Sequence, residues 1–113
     1  RLIDAFLDRL KEQLVPLPCG RWQPVETDLK TCLDIKLHPA GHIFGSVYVQ
    51  CRIAPADSKE TTHIVFSGDL GAPHAPLLPA PRAPYRADLL VLESTYGDRL
   101  HEGRSIRRQR FSS

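Results

Sequence analysis

The chain has 113 residues, 42% hydrophobic and 25% charged, with a formal charge of +2; this is the balance of one ordinary soluble globular domain at most. No apolar run approaches the roughly 18 residues that span a bilayer, and Asp4, Asp8 and Arg9 break up the start in a way a signal peptide does not. The net charge is too small to name a partner by itself.

Leu2, Ile3, Phe6, Leu7, Leu10 and Leu14 recur at i, i+3/i+4 spacing, which predicts an amphipathic helix of about four turns. Pro16 and Pro18 end it. A weaker strand signal lies around Val25 to Asp28. Alternation then sets in. Leu33, Ile35 and Leu37 oppose Asp34, Lys36 and His38, and Val47, Val49, Cys51 and Ile53 oppose Tyr48, Gln50 and Arg52. A period of two predicts strands with one buried face and one wetter face. Between them lies a loop with two glycines, Pro39 to Gly45. His63 to Phe66 and Leu89 to Leu92 are short continuous apolar runs, which suit strands buried on both faces. The prolines at 73, 76, 79, 81 and 84 predict an extended, non-helical connector between these runs. Glu102 to Phe111 is compatible with a C-terminal helix.

Three polar residues sit just past apolar strands or between strands, where open α/β proteins place their sites. His42 lies between flanking glycines, so its loop can turn tightly, and its imidazole can ligate a metal or simply brace the turn. Asp69 follows a buried strand in Ser-Gly-Asp-Leu-Gly. Its two carboxylate oxygens can bridge cations, or it can serve as an ordinary turn or capping residue. Glu93 directly follows Leu-Leu-Val-Leu. Burying it requires a cation, a histidine or backbone donors, unless it pairs at the surface with one of the later arginines. His38, His63, His74 and His101 have no partner at metal-motif spacing and read as surface or packing residues. No glycine-rich phosphate loop, nucleophile elbow or HExxH is present.

Cys19, Cys32 and Cys51 are odd in number and widely spaced. They predict neither a disulfide framework nor a cysteine zinc knuckle, and a reducing, cytoplasmic setting is expected. The chain contains no methionine and begins at Arg1 inside a helical pattern, so we expect it to be a piece of a longer protein.

Pro-Ala-Gly-His-Ile-Phe-Gly-Ser (39–46), Val-Phe-Ser-Gly-Asp-Leu-Gly (65–71) and Leu-Leu-Val-Leu-Glu-Ser-Thr-Tyr-Gly-Asp-Arg (89–99) occur in that order. Together they resemble successive motifs of the β-CASP branch of the metallo-β-lactamase superfamily, a branch of nucleases. The resemblance implies an α+β fold that is part of an αββα sandwich: an N-terminal helix, about five strands and a C-terminal helix. Residues 1–94 then form the C-terminal part of an incomplete metallo-β-lactamase domain, and 95–113 the start of a truncated β-CASP domain. It implies His42 as a zinc ligand, Asp69 as the carboxylate bridging two zinc ions, and Glu93 as an acidic residue that orients a histidine near the metals. The expected activity is cleavage of RNA phosphodiester bonds, with a DNA-directed nuclease or a non-catalytic scaffold or binding domain as rival readings.

The family's His-x-His-x-Asp-His motif is absent from these residues. The isolated chain is therefore expected to be inactive and to bind zinc weakly or not at all; lacking half of the sheet pair, it is also expected to show marginal stability, exposed apolar patches or self-association through unpaired strand edges. Residues 99–113 hold five arginines and one glutamate, so the rest of the chain is net acidic. Arg99, Arg104, Arg107 and Arg108 are candidate phosphate contacts, against the plainer reading of a solvated helix face.

Overall fold

The structure is a computed structural model, and it describes residues 1–27, 30–73 and 75–98. Helix α1 runs Leu2–Gln13. Asp4 in its first turn and Lys11 in its last complement the helix dipole. Leu14 turns extended, and Val15 stands before Pro16, where helical backbone is disfavoured. The apolar stripe that predicted the helix is present but uncovered, since α1 buries none of its residues.

Five strands follow: β1 (Trp22–Val25), β2 (Thr31–Pro39), β3 (Val47–Pro55), β4 (Thr62–Phe66) and β5 (Leu89–Val91). They form one sheet in the order β1-β2-β3-β4-β5. The first three pairings are antiparallel, and β4 with β5 is parallel. Among the described residues the architecture is thus α+β, with one helix and one mixed sheet. The expected C-terminal helix, Glu102 to Phe111, lies outside the described residues. No described helix is long and apolar enough to cross a membrane.

Register sorts the side chains into two faces. Leu37, Val49, Phe66 and Val91 form one cross-strand row, and Ile35, Cys51, Ile64 and Leu89 form the next. The opposite face carries Trp22, Lys36, Gln50, Val65 and Leu90 in register, with Tyr48 beside His38 and Arg52 beside Asp34.

The expected burial of these faces is reversed. The aliphatic rows are only half-buried or exposed, whereas Tyr48 and Gln50 are 4% and 5% exposed. The proline-rich connector covers the polar face. Proline removes N–H donors, so such a segment presents unpaired carbonyls. The Tyr48 hydroxyl donates to the Arg82 carbonyl at 2.7 Å, and the Gln50 amide donates to the Arg86 carbonyl at 3.0 Å. His38 stacks on Tyr48, ring centroids 4.6 Å apart, and its Nε2 lies 3.1 Å from Gln50 Oε1. Further along this face Arg52 pairs with Asp34 at 2.8 Å and lies 4.7 Å from the centre of the Trp22 ring.

Two other expectations are corrected. The first strand spans Trp22–Val25 rather than Val25 to Asp28. It is an edge strand, where Pro24 can sit without breaking a two-sided ladder. The run at β5 is not buried on both faces: all three of its residues are exposed, because it is the other edge of the sheet. Asp88 fastens the start of β5 to β4. Its carboxylate accepts the His63 N–H at 2.8 Å, and its own N–H donates to the His63 carbonyl at 2.8 Å. That backbone donor, with Arg86 alongside, holds the Asp88 carboxyl below the usual aspartate range.

Candidate functional site

Residues 40–46 carry the chain from β2 into β3. Gly41 and Gly45 adopt φ of 68° and 82°, a region that favours glycine. The Ala40 N–H donates to the Ser46 carbonyl at 2.9 Å and closes the loop. The Ser46 hydroxyl bridges the backbone of its turn. Its oxygen accepts from the His42 N–H at 3.1 Å and the Ile43 N–H at 3.2 Å, and it donates to the Ile43 carbonyl at 2.9 Å. His42, Ile43 and Phe44 are all exposed at the tip.

The segment after β4 holds Asp69, which is also exposed. It is laid directly against the His42 loop, for the Gly71 N–H donates to the Ala40 carbonyl at 2.8 Å. The approach leaves no room for side chains. A Cβ on Gly71 would overlap the Gly41 carbonyl and lie 2.7 Å from the His42 nitrogen, and a Cβ on Gly41 would lie 2.5 Å from the Pro79 carbonyl oxygen.

Glu93 lies two residues beyond β5 and is half-buried. Its Oε1 accepts the Leu70 N–H at 2.6 Å, and its Oε2 accepts the Thr95 hydroxyl at 3.2 Å. Backbone donation of this kind is one of the partners a carboxylate in that place requires. The Glu93 N–H donates to Ser67 Oγ at 2.9 Å, and that hydroxyl donates in turn to the Gly68 carbonyl at 2.8 Å. Ser67 is 3% exposed, and its N–H donates to the Val91 carbonyl at 2.9 Å.

The three loops are therefore hydrogen-bonded neighbours at one end of the sheet. Glu93 grips the residue next to Asp69, and the Asp69 segment rests on the His42 loop. An exposed imidazole and an exposed carboxylate are donors of the types zinc takes, but they are two, fewer than the three or four of a protein zinc site. Among the described residues no three or more His, Cys, Asp or Glu side chains are grouped to hold a metal. Arg99, Arg104, Arg107 and Arg108 lie outside the described residues.

Sequence reasoning missed Ser46 and Ser67. Both are small hydroxyl residues at a strand end beside a glycine, a pattern that marks local side-chain-to-backbone bonding.

No family model matches the chain. It is similar to Ribonuclease TTHA0252 of Thermus thermophilus, with 38% identity over 88 residues, 78% of this chain. It is 35% identical over 75 residues to cleavage and polyadenylation specificity factor subunit 3 of Dictyostelium discoideum, 66% of this chain. It is 32% identical over 84 residues to transcription termination factor FttA of Methanococcus maripaludis, 74% of this chain. The chain spans 18%, 9% and 12% of the lengths of these three relatives.

Proposed function

The chain belongs to the β-CASP branch of the metallo-β-lactamase superfamily, and from that premise we propose that it supplies part of the active site of a zinc-dependent nuclease that cleaves RNA phosphodiester bonds. The observation that carries this reading is the convergence of the His42, Asp69 and Glu93 loops through the Gly71–Ala40, Leu70–Glu93 and Glu93–Ser67 hydrogen bonds.

His42 would hold a cation through its imidazole, and Asp69 would offer it a carboxylate. Glu93 acts from behind, holding the backbone one residue from Asp69 so that this carboxylate keeps one orientation. Zinc at such a site supplies Lewis-acid charge at the scissile phosphate. The remaining donors would come from elsewhere in the protein. With two such donors grouped among the described residues, the isolated chain is expected to bind zinc weakly and not to cleave.

RNA is favoured over DNA because the names of the relatives refer to a ribonuclease, to cleavage and polyadenylation, and to transcription termination. The arginines at 99, 104, 107 and 108 meet substrate phosphates in this reading, an electrostatic contact without sequence preference. The test uses the full-length protein that carries this chain, with end-labelled RNA and DNA of one sequence. RNA is expected to be cut and DNA spared, and a chelator should stop the reaction. Neutralising Arg107 and Arg108 together should weaken RNA binding and lower its salt slope by about one to two. Cleavage of DNA alone, or activity indifferent to chelation, overturns the reading.

A further inference from the structure

We propose that Ser46 is the positioning residue for the His42 imidazole, and that its hydroxyl sets the zinc affinity of the site; this rests on the reading of His42 as a ligand. The hydroxyl of Ser46 is saturated. It accepts two backbone N–H groups, from His42 and Ile43, and donates to the Ile43 carbonyl, which uses its one proton and both lone pairs.

One backbone bond also ties the tip of the loop, for the Ser46 N–H donates to the Ile43 carbonyl at 3.1 Å. His42, Ile43, Phe44 and Gly45 are all exposed, with Phe44 at 78%. No apolar packing therefore holds the backbone that carries the imidazole. The glycines on either side have φ of 68° and 82°, and a Cβ at Gly45 would meet only open space. The loop is anchored at its base by Ala40, which is buried and bonded to both Ser46 and Gly71. Between base and tip, among the described residues, the Ser46 hydroxyl is the one side-chain group that bonds the His42 backbone. Without it, the two N–H groups turn to water at small cost, because they are exposed already. The loop, its tip then tied by the Ser46–Ile43 backbone bond alone, samples more conformations, of which a fraction present the imidazole correctly. Affinity falls by that fraction.

The test is a zinc competition titration against a chromogenic chelator on the full-length protein and its His42→Ala, Ser46→Ala and Ser46→Thr variants, with the folding transition of each followed by circular dichroism. Ser46→Ala should weaken zinc binding roughly 10-fold, the range seen when a group behind a ligand is lost. Its folding transition should stay in place, and excess zinc should restore its RNA cleavage. Ser46→Thr retains the hydroxyl and should restore affinity without added zinc. His42→Ala should lose more affinity than any of them. Wild-type affinity in Ser46→Ala beside a clear loss in His42→Ala overturns the role of Ser46 alone. A Ser46→Ala protein that loses affinity only by losing its folding transition has a structural serine, which overturns it too. Unchanged affinity in His42→Ala overturns the ligand reading and this inference with it.

Discussion

Asp69→Ala in the full-length protein is expected to abolish RNA cleavage while leaving the folding transition almost unmoved. The carboxylate stands exposed on its loop, outside the strands of the sheet. Exposed substitutions of this kind usually shift stability by no more than about 0.5 kcal/mol. The loss of activity should exceed the roughly 10–100-fold that follows removal of a group behind a ligand, because Asp69 itself would touch the cations. His42→Ala should behave in the same way. Glu93→Gln should differ from both. The amide oxygen can still accept the Leu70 N–H, so Asp69 stays nearly in place and a measurable rate survives. Single-turnover cleavage of labelled RNA, read beside thermal melts of the same preparations, separates these outcomes. An Asp69→Ala protein that cuts at the wild-type rate removes the metal site from this end of the sheet.

The local elements were legible because each carries its own period. The stripe from Leu2 to Leu14 repeats at the helical spacing, and α1 runs Leu2–Gln13. The alternation from Leu33 and from Val47 became β2 and β3, paired residue for residue from Thr31 with Pro55 to Pro39 with Val47. What periodicity does not encode is the identity of the cover. Alternation states that two faces differ, and the inference that the aliphatic face is the buried one assumes an aliphatic cover. Here the described cover is a proline-rich connector whose carbonyls need donors, so Tyr48 and Gln50 are buried by it. The rows led by Leu37 and Ile35 keep an apolar surface that nothing in the described residues covers.

The candidate site was legible as three separate loops and as an ordered set of motifs. Its geometry was not. Nothing in the spacing of His42, Asp69 and Glu93 indicates that Glu93 reaches Leu70, or that Gly71 lies on Ala40, since these bonds join residues 23 apart and across the whole β3–β4 hairpin. Such contacts follow from the sheet order, in which β5 returns parallel beside β4 and sets Glu93 next to the segment that leaves Phe66. The serines escaped notice for a related reason. A hydroxyl that bonds backbone looks in sequence like any polar loop residue, and only the closed turn shows that Ser46 has no spare capacity.

The contact between the two ligand-bearing loops gives the second large effect. Gly71→Ala is expected to destabilise the full-length protein by about 1–3 kcal/mol, the usual cost of forcing a methyl into filled space, and to weaken zinc binding and cleavage as well. The clash is with backbone: the added Cβ meets the Gly41 carbonyl and lies 2.7 Å from the His42 nitrogen. No side chain can swing away to relieve it, and Gly41 cannot retreat, because its own far side is closed by Pro79 and Pro81. The strain must therefore move the His42 loop or part the Gly71–Ala40 hydrogen bond, and either displaces His42 from Asp69. Gly71, unlike Gly41 and Gly45, does not have a left-handed φ, so the effect of its methyl is steric rather than conformational. Gly45→Ala is the matching control. Its Cβ meets nothing, and its cost is the left-handed backbone alone, about 1–2 kcal/mol, a cost that Gly45→Asn should reduce. Denaturant titrations and zinc titrations of the three variants make the comparison. If Gly71→Ala unfolds and binds zinc as the wild type does, the two loops do not touch in solution, and the shared site built on their contact is lost.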